Sequence, residues 1–183
     1  NTDSSGLLNP DVFQYEQSDE FNTRVAEGLY ITSDYRFEMY DTISNSDLRK
    51  KSGYKYSDLG YYWVPKIIEQ YYNVPFESFV YEHFYEPLNL RHTRFHPRKY
   101  FELENIAPTE NDTLFRKQII RGDVHDPGAA MLGGVCGHAG LFSTAEDIAI
   151  IFQMYLQSGY YGGVQFFDAA TINEYTSYQH DGI

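Results

Sequence analysis

The chain has 183 residues, enough to bury one sizeable core, and a hydrophobic content of 42% excludes a disordered polypeptide. A net charge of −12 argues against nucleic acid as a partner, because phosphate binding needs a basic surface. No apolar run approaches the roughly 18 residues that a membrane span requires, and a single cysteine, Cys136, excludes an intrachain disulfide framework.

Residues 1–19 are polar and carry Gly6 and Pro10, which predicts a surface segment or linker. From Glu20 the apolar residues Phe21, Val25 and Leu29 recur every four positions and predict a helix; a second helix is predicted over 34–43. A polar, basic stretch ending at Gly53 marks a turn. Ser57 is the expected N-cap of a helix with Val64, Ile67, Ile68 and Tyr71 on one face. Pro65 inside it removes a backbone donor and predicts a kink.

Pro75 opens the next helix, whose stripe is Phe76, Phe79, Val80 and His83, and Pro87 stops it. Residues 88–124 read as irregular, with short strands near Ile106 and Ile119–Ile120. Five glycines between Gly128 and Gly140 permit tight turns and close backbone approach. Ser143-Thr144-Ala145-Glu146 has the letters of a capping box, and Ile148, Ile151, Phe152 and Tyr155 follow at helical spacing until Gly159 closes the helix. A last helix is predicted over 168–178. The chain reads as mainly α, without internal repeats. Its 18 Tyr and 13 Phe suit a core whose tyrosine hydroxyls reach water.

The residues with chemical potential fall in two places. Tyr56-Ser57-Asp58-Leu59-Gly60-Tyr61 sets a phenol and a carboxylate at the start of a predicted helix. Gly137-His138-Ala139-Gly140-Leu141-Phe142-Ser143-Thr144-Ala145 sets an imidazole in a glycine-rich loop before another. A phenol is a poor base unless a cation lowers its pKa.

Together with Phe84-Tyr85-Glu86-Pro87-Leu88-Asn89-Leu90, Ala107-Pro108-Thr109-Glu110, Val124-His125-Asp126 and Leu132-Gly133-Gly134-Val135, these segments resemble, in order, the helical region of the class C β-lactamase-like serine hydrolases. They are similar to a subgroup found beside family 3 glycosidase modules in secreted bacterial proteins. The resemblance runs from about Gly53 to about Ser177, roughly two thirds of the chain, and implies that 20–183 is an incomplete domain lacking most of the fold's antiparallel sheet, after a polar segment over 1–19. It implies acyl-enzyme hydrolysis of cell-wall peptides, β-lactams, esters or amides without a cofactor, in the periplasm or outside the cell. It gives Tyr56 the role of general base and puts Asp58 where asparagine is commoner, contacting the motif lysine or the substrate. His125, Asp126 and His138 are expected along the substrate cleft, hydrogen-bonded to loop backbone. Asn89 stands where the family's turn carries glycine.

The family's Ser-x-x-Lys nucleophile has one literal match, Ser52-Gly53-Tyr54-Lys55. Its glycine and basic flank Arg49-Lys50-Lys51 describe a solvated turn rather than a catalytic helix. His180-Asp181-Gly182 matches the third motif in letters but has no strand pattern before it. The chain is therefore expected to be a fragment without its nucleophile, inactive alone and self-associating through an apolar face uncovered by the missing sheet. Two alternatives are a non-catalytic helical binding module and a metal-dependent hydrolase using Asp123, His125, Asp126 and His138, whose spacing fits no zinc signature. No metal is expected.

Overall fold

The computed structural model describes residues 8–51 and 53–179. In chain order the elements begin with β1 (Phe13–Gln14), β2 (Thr23–Ala26), β3 (Leu29–Ile31), α1 (Tyr35–Ser44), α2 (Leu59–Tyr72) and α3 (Phe76–Val80), which runs into a π turn over Tyr81–Tyr85. There follow β4 (Pro108–Asp112), β5 (Gln118–Arg121), α4 (Pro127–Met131), α5 (Ala145–Leu156), β6 (Tyr160–Tyr161), β7 (Val164–Gln165) and α6 (Ala169–Thr176). Helices outweigh strands, and the strands form three small antiparallel sheets, β1-β3-β2, β4-β5 and β6-β7. The chain divides into two compact units, Asn1–Phe76 with Phe95–Leu141, and Glu77–Arg94 with Phe142–Ile183.

In the first unit the helix predicted from Glu20 is instead the hairpin β2–β3, with Ala26 opposite Leu29 and Gly28 turning at φ +58°. A step of four residues is even, so a strand also keeps it on one face. Val25, Leu29 and Ile31 are almost fully buried on Phe13, Ile120, Ala129 and Ala130. The β4–β5 hairpin pairs Asp112 with Gln118 and Asn111 with Ile119, giving order to part of a stretch that reads as irregular.

Helix α2 starts one residue later than Ser57 implies: Asp58 holds the cap position, while Ser57 Oγ accepts the Leu59 N–H at 3.3 Å. Pro65 sits within the helix and is buried. Because proline has no N–H, the Tyr61 carbonyl four residues earlier loses its helical donor. Gly137 supplies one, its N–H lying 3.2 Å from that oxygen, and the Cys136 thiol lies 3.8 Å from it. A Cβ on Gly137 would sit 2.6 Å from the same oxygen, so the approach requires glycine. The stripe predicted on α2 faces largely outward: Ile67 is 58% and Tyr71 81% exposed, while Ile68 is half-buried. Pro65 and the half-buried Tyr62, Trp63 and Lys66 form the inner side, with Lys66 Nζ 4.2 Å from the Tyr40 ring centre.

The second unit packs Leu88, Leu90 and Met154 with Ile150, Ile151, Phe166 and Phe167. Asn89 takes the left-handed conformation at φ +57°, which asparagine tolerates better than most residues and which explains its place in the turn. The cap of α5 is shifted by one residue from the predicted box, with Thr144 Oγ1 accepting the Asp147 N–H at 3.3 Å. Its inner face is likewise Asp147, Ile150, Ile151 and Met154, leaving Phe152 and Tyr155 exposed. The face turns because Asp147 is drawn inward: its Oδ2 accepts the His92 N–H at 2.8 Å and the Thr93 hydroxyl at 2.9 Å. Thr93, fully buried, also meets Ser143 Oγ at 2.8 Å, and Arg94 and Phe142 exchange backbone hydrogen bonds beside it.

Thr93→Val keeps the shape at this junction but removes the hydroxyl from a buried carboxylate. Urea melts should show a loss of about 1–3 kcal/mol; an unchanged midpoint would mean that the junction does not hold α5.

Candidate functional site

The site is assembled in the first unit from the start of α2, the loop before α4 and the glycine-rich segment after it. Tyr56 is 72% exposed, and its hydroxyl donates to Asp58 Oδ1 at 2.7 Å. Asp58, half-buried, makes no capping bond with its side chain, so the carboxylate is free to take the phenol. That hydrogen bond, and then the carboxylate's charge, raise the Tyr56 pKa above its ordinary value. Phenolate formation is therefore disfavoured in this arrangement.

One turn into α2, Tyr62 brings the second group of residues close. Its ring centre lies 4.7 Å from that of His138, and its hydroxyl rests against Gly128, where a Cβ would collide with it. Burial, then the charges of Asp126, Cys136 and Asp58, push the Tyr62 pKa up to about 12. Asp126 caps α4 by accepting the Ala129 N–H at 2.7 Å, and the same Oδ1 lies 3.3 Å from His138 Nε2. His138 is one-tenth exposed, and its Nδ1 is buried without a hydrogen-bond partner. Cys136 is buried and, with burial as the main cause, its thiol is pushed upward.

His125 leaves this group. It is 69% exposed and its Nδ1 sits 3.2 Å from Glu110 Oε1, on the β4–β5 side. Adjacent in sequence, His125 and Asp126 thus serve different neighbours. Asp123 is engaged by Arg24 through two hydrogen bonds of 2.8 Å. These separate commitments leave the proposed metal set unassembled: among the described residues no group of three or more His, Cys, Asp or Glu side chains could hold an ion. Ser52 and the 180–182 match lie outside the described residues.

Sequence reasoning missed Arg116, whose wholly buried side chain anchors the loop that carries Asp126. It donates to Asp112 Oδ2 at 2.7 Å, to the carbonyls of Val124 at 2.6 Å and His125 at 2.7 Å, and to Glu110. Asp112 also accepts the N–H groups of Leu114, Phe115 and Arg116. Burial opposes ionisation of Asp112, but the guanidinium and these N–H groups outweigh it and hold the carboxyl down at about 2. No short motif encodes this anchor. Sequence reasoning gave Tyr62 no role either.

The model of the family described as Beta-lactamase matches residues 4–179. The chain belongs to the Beta-lactamase family. It is 38% identical over 170 residues to a protein of Escherichia coli (strain K12) named "Putative D-alanyl-D-alanine carboxypeptidase". A protein of the same name from Salmonella agona (strain SL483) is 37% identical over 169 residues. In both cases the match covers 85% of this chain and 39% of the relative's length. No solved structure matches significantly. Membership of the family agrees with the order of motifs from Tyr56-Ser57-Asp58 to Gly137-His138-Ala139-Gly140.

The folded pKa of Asp112 lies below its ordinary 3.8, so its stabilisation is complete above about pH 4 and is lost as pH falls toward 2. Asp112→Asn should cost about 2 kcal/mol at pH 7 by chemical melts. The gap from the native chain should narrow below pH 4; a gap independent of pH would contradict the ion-pair account.

Proposed function

We propose that the chain carries the helical part of the acyl-transfer site of a serine hydrolase, which acts on peptides of cell-wall type, β-lactams or small esters and amides. The relatives' name supports a peptide ending in D-alanyl-D-alanine as the substrate, and with it a location in the cell envelope. Tyr56 and Asp58 are the pair at the acylation step, and Asp126 and His138 shape the adjoining wall. His125, directed to Glu110, is assigned no substrate contact. The nucleophilic serine and its lysine belong to polypeptide beyond these 183 residues, and the chain by itself is inactive.

The observation that carries the reading is the tie between Gly137 and the Tyr61 carbonyl, which puts the glycine-rich segment beside the helix that Tyr56 and Asp58 introduce. Peptide-bond acylation needs a proton-transfer group and a wall that holds an extended ligand, and these two segments supply both. The outward apolar stripe of α2 supports a second element of the account, that this face is covered by the rest of the domain and self-associates when it is absent.

Intact mass after incubation with a fluorophosphonate, and separately with a labelled penicillin, tests the reading. The 183-residue chain should take no adduct. A polypeptide that joins it to the missing nucleophile should take one, about 10²-fold more slowly after Tyr56→Phe. An adduct on the chain alone that disappears in Ser52→Ala would overturn the assignment of the nucleophile. No adduct on either would favour a binding module that keeps the scaffold without the chemistry.

A further inference from the structure

The Tyr62 hydroxyl lies between the two groups of side chains that make up the site. Tyr62 follows Asp58 by four residues on α2, so the two side chains share a face of the helix and lean toward its N-terminus. The Tyr62 hydroxyl and Asp126 Oδ1 both lie within 3.2 Å of the point that a Cβ on Gly128 would occupy. Asp126 Oδ1 in turn meets His138 Nε2 at 3.3 Å. The charges of Asp126 and Asp58 both reach the phenol. A ligand that runs from Tyr56 and Asp58 to the wall of Asp126 and His138 therefore passes this hydroxyl.

The hydroxyl is held from three sides. The backbone carbonyl of Tyr62 accepts the Tyr40 hydroxyl at 3.2 Å, the ring packs on His138 with centres 4.7 Å apart, and glycine at 128 leaves room for the oxygen. Tyr62 is half-buried, and among the described residues nothing hydrogen-bonds its hydroxyl. Folding thus orders this donor before any ligand arrives. Burial, then the charges of Asp126, Cys136 and Asp58, keep the phenol protonated across the neutral range, so it has a proton to donate. The same two carboxylates disfavour an anion beside it. The acceptor that suits the position is a neutral carbonyl.

Resting on the function proposed above, we propose that Tyr62 is a substrate-binding residue whose hydroxyl donates to an unreactive backbone carbonyl of the bound peptide. One turn of helix rises about 5.4 Å, and an extended peptide advances about 3.3–3.6 Å per residue. The carbonyl therefore lies one or two residues before the bond that is cleaved. The site selects extended peptides over small esters and amides, which have no second carbonyl to offer. His138 serves this contact by packing on the Tyr62 ring, and Asp126 by holding His138.

The test is hydrolysis of an acetylated tripeptide ending in D-alanyl-D-alanine by the polypeptide that joins this chain to its nucleophile. Two analogues carry sulfur in place of oxygen, each in one of the two amide bonds before the cleaved one. A thiocarbonyl has the same charge and nearly the same shape but accepts hydrogen bonds weakly. The native protein should lose about tenfold in kcat/KM with sulfur at one of the two positions, the effect of one neutral hydrogen bond. Tyr62→Phe, which keeps the ring on His138, should lose about tenfold on the all-oxygen peptide and no longer discriminate against that sulfur. Equal discrimination by both proteins would overturn the inference, as would a native protein indifferent to sulfur at both positions. So would a polypeptide that takes the fluorophosphonate but hydrolyses none of the peptides. Reaction with neither would instead overturn the hydrolase reading, and the inference with it.

Discussion

The site depends on one carbonyl oxygen, that of Tyr61. Pro65 deprives it of the donor that an α-helix would ordinarily provide. The glycine-rich segment answers with the Gly137 N–H, and only a residue without a Cβ can come so close. A proline in one segment and a glycine more than seventy positions later thus form a single device. It sets His138 against Tyr62 and brings Asp126 within electrostatic reach of the residue one turn beyond Asp58.

The second support is electrostatic. Arg116 has no exposed side-chain surface and satisfies two loop carbonyls while it is paired with Asp112 and Glu110. Such an arrangement is stable only because the guanidinium is paired with carboxylates and each of its three nitrogens donates. Its consequence for the site is positional: the carbonyls of Val124 and His125 are fixed, and Asp126 leaves the loop at a set point to cap α4 and face His138. Tyr56 and Asp58 stand in a more solvated setting and share a hydrogen bond of 2.7 Å.

Much of this was readable from sequence. The helix over 34–43, the one begun near Ser57, and the one between Thr144 and Gly159 lie close to their predicted places, because caps, glycines and prolines act locally. The errors arose where distant partners decide. An apolar step of four between Phe21 and Leu29 suits a helix or a hairpin, and Gly28 with the buried sheet selected the hairpin. The inner face of α5 turned by a residue because Thr93 and His92 engage Asp147. The stripe on α2 reads as a core face, yet in this chain it looks outward. Of the expected wall residues, Asp126 and His138 meet and His125 does not, a distinction set by Glu110 and Arg116. Neither residue carries a signal that spacing could reveal.

The central claim is that the start of α2 and the glycine-rich segment are one mechanical unit joined at Gly137 and Tyr61. Amide hydrogen exchange in Gly137→Ala tests it most directly. The account predicts that protection falls together, about tenfold or more, across residues 128–140 and the first half of α2. Faster exchange confined to the immediate neighbours of residue 137, with α2 unchanged, would contradict it.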